Sequence, residues 1–203
     1  METNQEFYGW AAAQLIDEIR KGELSELPEH GVFFWYPFLD SLWQAVQPSD
    51  KSVILALMQN PHTLAWGLLL SRGLPEDAEI ASALSTLFQE ARGDPEQRLV
   101  LFHELAYREN SDDVKRQLLA YLVSGLDRFL QHEILYFGGK GGVLEGCRAR
   151  MANSKFTHKR WVYLFTALAS GDRESAEDFI RGYTDDADPL VREAARVSAQ
   201  ILR

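Results

Sequence analysis

Apolar residues recur three or four positions apart along most of this chain, which is the spacing of amphipathic helices. No stretch shows the sustained alternation of a β-strand or the Asn-Gly turns of a hairpin. Turns rich in proline, glycine or asparagine separate the periodic stretches. The pattern predicts an all-α protein with helices over 4–21, 51–58, 62–70, 76–91, 96–109, 112–133, 157–169, 174–183 and 189–202.

The clearest helix signal lies in the last twenty residues. Asp188 can accept a backbone N–H at the helix start, and Pro189 loses no hydrogen bond at the first helical position. The face that follows carries mostly small side chains: Val191, Ala194, Ala195, Ser198, Ala199 and Leu202. Small side chains allow a neighbouring helix to approach closely, so we expect this helix to pack against another one.

This segment resembles the HEAT repeats, a family of stacked helical hairpins. The resemblance rests on an acidic turn, an Asp-Pro helix start, a Val-Arg pair and two alanines: Asp186, Asp188, Pro189, Val191, Arg192, Ala194 and Ala195. It covers 174–202, which is about one repeat. It implies that Asp186 and Arg192 bond to each other or to neighbouring repeats and lock the hairpin. It also implies antiparallel helical hairpins stacked as a short HEAT-like α-solenoid, with an irregular bundle as the alternative.

We interpret the chain as a single all-helical domain, 1–203, because its length and 46% hydrophobic content suit one core or a short solenoid. Four segments are predicted within it: aromatic-rich N-terminal helices at 1–47, helical hairpins at 48–136, a Gly-rich loop at 137–147 and C-terminal HEAT-like helices at 148–203. The loop is predicted because five of the fourteen glycines fall within 137–146. A P-loop is excluded there, since Lys140 is followed by Gly141 and not by Ser or Thr.

The overall charge and the cysteine content exclude several classes. A formal net charge of -9 argues against a protein whose whole surface grips nucleic acid, because phosphate contacts require an excess of Lys and Arg. The single cysteine, Cys147, excludes an internal disulfide and a cysteine-rich zinc site. The N-terminus lacks the basic region of a signal peptide, and no apolar run approaches the length of a membrane span. We therefore expect a soluble cytoplasmic protein with no membrane partner and no cofactor.

Basic residues concentrate in one segment of this acidic chain. Six of them lie within 140–160, against a single acid, Glu145. Such a segment suits an anionic partner, whether a protein face, a phosphate ligand or nucleic acid. The candidate partner- or anion-binding residues are Lys140, Arg148, Arg150, Lys155, His158, Lys159, Arg160 and Trp161. The alternative is that these residues pair within the molecule with the acidic run at 172–188.

Metal and nucleophile motifs are incomplete in this sequence. His103-Glu104 and His132-Glu133 each begin like the helix of a zinc protease, but the second histidine four residues later is missing from both. The five histidines form no cluster along the sequence, and no local histidine marks Cys147 as a nucleophile. We therefore predict no metal site and no catalytic residue, and we interpret Cys147 as a small apolar residue.

The sequence favours a non-catalytic protein-protein interaction module, a scaffold or adaptor, because stacked helices present an extended surface for recognition. Its acidity and size suit a bacterial immunity or regulatory protein. One alternative is a helical-repeat nucleic-acid-binding protein that uses the basic segment 148–160. Another is a small-ligand-binding or enzymatic helical domain with an aromatic pocket around 33–38. The sequence favours instead that those rings seat the N-terminal helix on the core.

Overall fold

The computed structural model describes residues 2–22, 36–108 and 111–202, apart from the side chains of 2–6, 36–37 and 154–156. These residues form α-helices and short 3₁₀ helices without a β-strand, which confirms the predicted all-α fold class. The helices are α1 Glu2–Lys21, α2 Tyr36–Ala45, α3 Lys51–Gln59, α4 Leu64–Ser71, α5 Ala78–Glu90, α6 Pro95–Ala106, α7 Asp112–Ser124, α8 Leu126–Tyr136, α9 Lys140–Met151, α10 Arg160–Thr166, α11 Arg173–Arg181 and α12 Pro189–Ile201. None of these twelve is both long and apolar enough to cross a membrane.

The chain divides into two compact units, residues 1–93 and 94–203. The boundary falls at the turn before α6, where Asp94 caps the first helix of the second unit. The interpretation of the chain as one domain stays a prediction, and so does the stacking of its hairpins as a solenoid.

In the first unit, α1 packs against α2 and α3 packs against α4. The approach of α3 and α4 depends on Gly67, because a Cβ at that position would lie only 2.8 Å from the backbone nitrogen of Met58. Arg20 at the end of α1 donates two hydrogen bonds to Asp50, of 2.7 and 2.9 Å. The fully buried apolar side chains of this unit include Ala12, Leu42, Ile54, Trp66 and Leu84.

In the second unit, α10 lies at the centre. It packs against α8, α9 and α12, and every residue from Trp161 to Thr166 is buried. α11 packs against α12. The predicted inner face of α12 is confirmed for Val191, Ala194, Ala195 and Ser198, which are buried, whereas Ala199 and Leu202 are half-buried.

Capping side chains begin several of the described helices. A side-chain oxygen accepts a backbone N–H from the first turn of α5, α6, α7, α11 and α12. The capping residues are Asp77, Asp94, Ser111, Asp172 and Asp188. The Asp-Pro helix start predicted at Asp188 is therefore confirmed, and Asp94 begins α6 in the same way, with proline at the first helical position of each helix.

The prediction of a Gly-rich loop at 137–147 is wrong, because α9 begins at Lys140 and continues to Met151. Only 137–139 forms a turn. Gly138 and Gly139 adopt positive φ angles of 70° and 118° there, and their N–H groups donate to carbonyls near the end of α8. The glycines outside the helix thus act as a C-terminal cap and not as a flexible connector.

Packing requires glycine at two of the three helical glycine positions of this segment, Gly142 and Gly146. A Cβ at Gly142 would lie 2.6 Å from the carbonyl oxygen of Phe137, and one at Gly146 would overlap the Phe137 ring. The intrinsic cost of glycine in a helix is about 1 kcal/mol per residue. Burial of apolar side chains on the opposite positions offsets it, and those side chains are Val143, Leu144, Cys147 and Met151.

The prediction of one continuous helix over 112–133 is also wrong. The chain breaks at Gly125, which ends α7 by donating its N–H to the carbonyl of Tyr121 and also precedes the first residue of α8. Tyr121 lies before the break and Phe129 after it, and the rings of both contact that of Phe102.

Candidate functional site

Polar side chains gather inside the second unit, where residues of α6, α8 and α10 meet. α6 buries Leu101, Phe102 and Leu105, and its half-buried neighbour His103 stacks on the ring of Phe129 from α8. The two ring centroids are 6.0 Å apart, with an angle of 28° between the ring planes. The apolar packing of α6 on α8 therefore fixes the position of the His103 imidazole.

We define the polar cluster as His103, His132, Glu133, Lys159 and Thr166. His103 Nε2 lies 3.7 Å from Oε1 of Glu133, and His132 Nδ1 lies 3.3 Å from the same oxygen. The two imidazole centroids are 5.2 Å apart. The side chain of Glu133 is 5% exposed and that of His132 is 47% exposed, so the cluster extends from the core to the surface.

Lys159 and Thr166 complete the polar cluster from opposite sides. Lys159 Nζ lies 3.0 Å from Nδ1 of His103 and 4.4 Å from the ring centroid of Tyr107. The Thr166 hydroxyl donates to Oε2 of Glu133 at 3.0 Å. An ammonium group only donates, so Lys159 can donate to Nδ1 of His103 when that nitrogen carries no proton. The imidazole thus lies between a buried cation and a buried carboxylate.

Cys147 of α9 lies near the polar cluster, but its thiol is unreactive. Burial raises the pKa of its thiol to about 12, and the negative charge of Glu133 adds to the effect against the opposing charge of Arg150. Burial likewise raises the pKa of the Tyr163 hydroxyl. Cys147 is therefore a neutral thiol at pH 7 and a poor nucleophile, in agreement with its interpretation as a small apolar residue.

The eight residues predicted to bind a partner or an anion separate into groups. Three are used inside the unit: the buried Trp161, Lys159 in the polar cluster, and Arg160, whose Nη2 lies 2.6 Å from Oδ2 of Asp186. Three are exposed, namely Lys140, Arg148 and His158. Arg150 packs on aromatic rings, and the side chain of Lys155 lies outside the described residues. The alternative of pairing with the acidic run is thus confirmed for Arg160, and the binding role of the group stays a prediction.

Asp186 organises the turn between α11 and α12. Its carboxylate accepts hydrogen bonds from Arg160 and from the backbone N–H of Asp188, while Arg192 donates to its backbone carbonyl. Burial raises the pKa of Asp186, but the hydrogen bonds from Asp188 and Arg160 outweigh burial, and the pKa lies below its ordinary value. The contact that the HEAT resemblance implies between Asp186 and Arg192 is present, but it uses the carbonyl, because α10 occupies the carboxylate.

An exposed apolar surface lies at the end of α8. Leu135 is 81% exposed and Tyr136 is 53% exposed. The guanidinium of Arg150 lies 5.3 Å from the ring centroid of Tyr136 and 4.6 Å from that of Phe137, and it donates to the Tyr136 hydroxyl at 3.3 Å. Leu135, Tyr136 and Arg150 are together termed the Leu135 surface.

The aromatic pocket predicted around 33–38 falls largely outside the described residues. Of its side chains only that of Phe38 is described, and this ring is buried in the first unit. Burial of Phe38 agrees with the interpretation that these rings seat α1 on the core. The pocket itself stays a prediction.

The convergence of His103, His132 and Glu133 was missed at the level of the sequence. Each of the two His-Glu dipeptides fails as a single-helix zinc motif. Their donor atoms meet because α6 and α8 pack through Phe102 and Phe129, whose ring centroids are 6.0 Å apart. The signal that could have found the cluster is the presence of two incomplete motifs on two apolar helices.

No family model, curated protein or solved structure matches this chain. The resemblance to the HEAT repeats at 174–202 stays a prediction. The packing of α11 on α12 at those residues is the part of it that the structure describes.

Proposed function

We propose that this chain is a non-catalytic protein-binding module that contacts its partner through the Leu135 surface. The exposure of Leu135 and Tyr136, 81% and 53%, is the observation that carries the proposal. Single exposed apolar residues are common on protein surfaces. Here Leu135 precedes Tyr136 at the end of α8, and Tyr136 contacts Arg150. Tyr and Arg are among the residues that contribute most energy at interfaces.

The position of Arg150 defines the chemistry of the partner. Tyr136 and Phe137 already hold its guanidinium, so little side-chain entropy is lost when a partner binds. Its positive charge at the surface favours a carboxylate on the partner. The partner is therefore a protein that presents an apolar pocket for Leu135 with a carboxylate at its rim. An immunity or regulatory role would follow from the identity of that protein.

The variant Leu135→Asp tests this proposal. It removes the apolar contact and places a carboxylate opposite the acidic rim. The wild-type chain is used to capture proteins from its source, and each captured protein is purified and titrated by calorimetry. We expect Leu135→Asp to weaken the affinity at least about tenfold, or about 1.4 kcal/mol. Because Leu135 is exposed, the melting temperature should not change.

Val123→Asp is the matched control, since Val123 is an exposed apolar residue at the end of α7 in the same unit. It should bind the partner as wild type does. A partner whose affinity is the same for Leu135→Asp and for wild type would contradict the proposal. Sedimentation of the chain alone gives a second check. A dimer that Leu135→Asp dissociates would identify another copy of this chain as the occupant of the surface.

A further inference from the structure

Three side chains of the polar cluster bring together the donor atoms of a metal site. One donor atom each of His103, His132 and Glu133 lies within 4.8 Å of the other two. We propose that these residues bind one divalent transition-metal ion, with Zn²⁺ as the expected occupant. The inference does not depend on protein binding through the Leu135 surface.

Two of the three donor separations are close to those of a metal-bound site. Zn²⁺ bonds of about 2.0–2.1 Å in tetrahedral geometry place neighbouring donor atoms roughly 3.4 Å apart. The separations from Oε1 of Glu133 are 3.7 Å to His103 and 3.3 Å to His132, one on each side of that value. Small rotations of the imidazoles would therefore close the three donors around an ion.

The donor set selects the class of metal. Two imidazole nitrogens and one carboxylate oxygen suit Zn²⁺ and other first-row transition ions. Mg²⁺ and Ca²⁺ instead prefer oxygen ligands alone. Three protein donors leave one tetrahedral position open, and the exposure of the His132 side chain, 47%, places the site at the edge of the core. A solvent molecule can therefore complete the coordination, and the ion has a path of entry.

Of the surrounding side chains, Thr166 favours metal binding by Glu133, whereas Lys159 disfavours metal binding by His103. Thr166 donates to Oε2 of Glu133, which leaves Oε1 directed at the two imidazoles. A histidine bound to a metal normally donates its other N–H to an acceptor. Nδ1 of His103 instead faces the ammonium of Lys159 at 3.0 Å. This ammonium must move when Nε2 binds the ion, and its charge repels the ion, so Lys159 lowers the metal affinity.

Metal titration of the purified full-length chain tests the site. After treatment with EDTA, the chain is titrated with Zn²⁺ by calorimetry and with Co²⁺ by visible absorption, whose intensity reports four-coordinate geometry. We expect one Zn²⁺ per chain and no heat from Mg²⁺ at the same concentrations. His132→Ala should weaken Zn²⁺ binding at least about tenfold. Its side chain is half exposed, so the circular dichroism spectrum should match that of wild type. His158→Ala is the matched control, because His158 is an exposed histidine of the same unit.

Lys159→Met separates a built site from incidental binding by surface histidines. Methionine fills the buried position of Lys159 without its charge, and we expect Zn²⁺ to bind at least about tenfold more tightly than to wild type. Wild-type protein that takes up no stoichiometric Zn²⁺ would overturn the proposal. Equal affinities of wild type and His132→Ala would overturn it as well. Lys159→Met that binds no more tightly than wild type would overturn the role given to Lys159.

Discussion

Arg160 connects two helices through a single carboxylate. It begins α10, and its guanidinium pairs with Asp186 in the turn before α12. The two side chains are 25% and 14% exposed, so water screens the pair less than it would an ion pair at the surface. Arg160 was a candidate for binding a partner, but this contact gives it a structural role.

Removal of Arg160 is expected to destabilise the second unit. Arg160→Ala removes the ion pair and its hydrogen bonds to the Asp186 carboxylate, and we expect a loss of about 1–3 kcal/mol in the free energy of unfolding. Urea titration measures this loss. The control is Arg181→Ala, which removes a more exposed pair with Glu177 and should cost less than about 0.5 kcal/mol. Equal stability of wild type and Arg160→Ala would show that the pair contributes nothing.

The ion pair of Arg160 and Asp186 also predicts that the free energy of unfolding depends on pH. The pKa of Asp186 is lower in the folded chain than in the unfolded one, so its contribution is fully present above the unfolded value of about 3.9. It is lost as the pH falls through the folded pKa. The difference in unfolding free energy between wild type and Arg160→Ala should therefore shrink below about pH 4. A difference that is constant from pH 7 to pH 3 would contradict this account.

Glycine has opposite roles in different helices of this chain. Gly67 in α4 permits contact with α3, since a Cβ there would lie 2.6 Å from Cγ of Met58 and 2.8 Å from its backbone nitrogen. Gly141 in α9 has open space around the same position. The first glycine is required by packing, whereas the second only lowers the propensity of its helix.

Alanine substitutions separate these two roles. Gly67→Ala places a methyl group against a backbone atom that cannot rotate away, and it should cost about 1–3 kcal/mol. Gly141→Ala should stabilise the chain by up to about 1 kcal/mol, because alanine is the better helix former and nothing obstructs it. Thermal melting of both variants checks the signs. A Gly67→Ala protein that melts at or above the wild-type temperature would contradict the close contact of α3 and α4.

Local signals predicted the elements better than their contacts. The caps Asp94 and Asp188 were predictable because each side chain bonds within its own first turn. The helix α9 was not predictable from local signals, because its glycine content is typical of a loop. The contacts of Phe137 with Gly142 and Gly146 become visible only in the structure. The pairing of Arg160 with Asp186 and the meeting of His103 with Glu133 join residues far apart in sequence. Such contacts follow from helix packing, which periodicity alone does not specify.

The distribution of charge over the whole chain bears on nucleic-acid binding. Lys159 and Arg160 are two of the six basic residues of 140–160, and both have partners within the fold. Charge reversal at either position would disturb folding as well as any surface. A test of nucleic-acid binding is therefore better made at Lys140 and Arg148, which are exposed. Binding that falls with salt and with loss of these two charges would support that alternative.

The division into two compact units predicts how a fragment behaves. Residues 94–203 contain fully buried apolar side chains of their own, among them Phe102, Leu105, Val162, Phe165 and Ile180. We expect the fragment 94–203 to show a helical circular dichroism spectrum and one cooperative urea transition. A fragment that lacks cooperative unfolding would favour the interpretation of 1–203 as one domain.

Cys147 can report local opening of the second unit. It is the lone sulfhydryl of the chain, it is sealed from water, and burial keeps it in the unreactive thiol form. A maleimide dye can therefore label the protein only when α9 separates transiently from its neighbours by local unfolding. The rate of labelling therefore measures how often this part of the second unit opens, and the measurement needs no engineered cysteine.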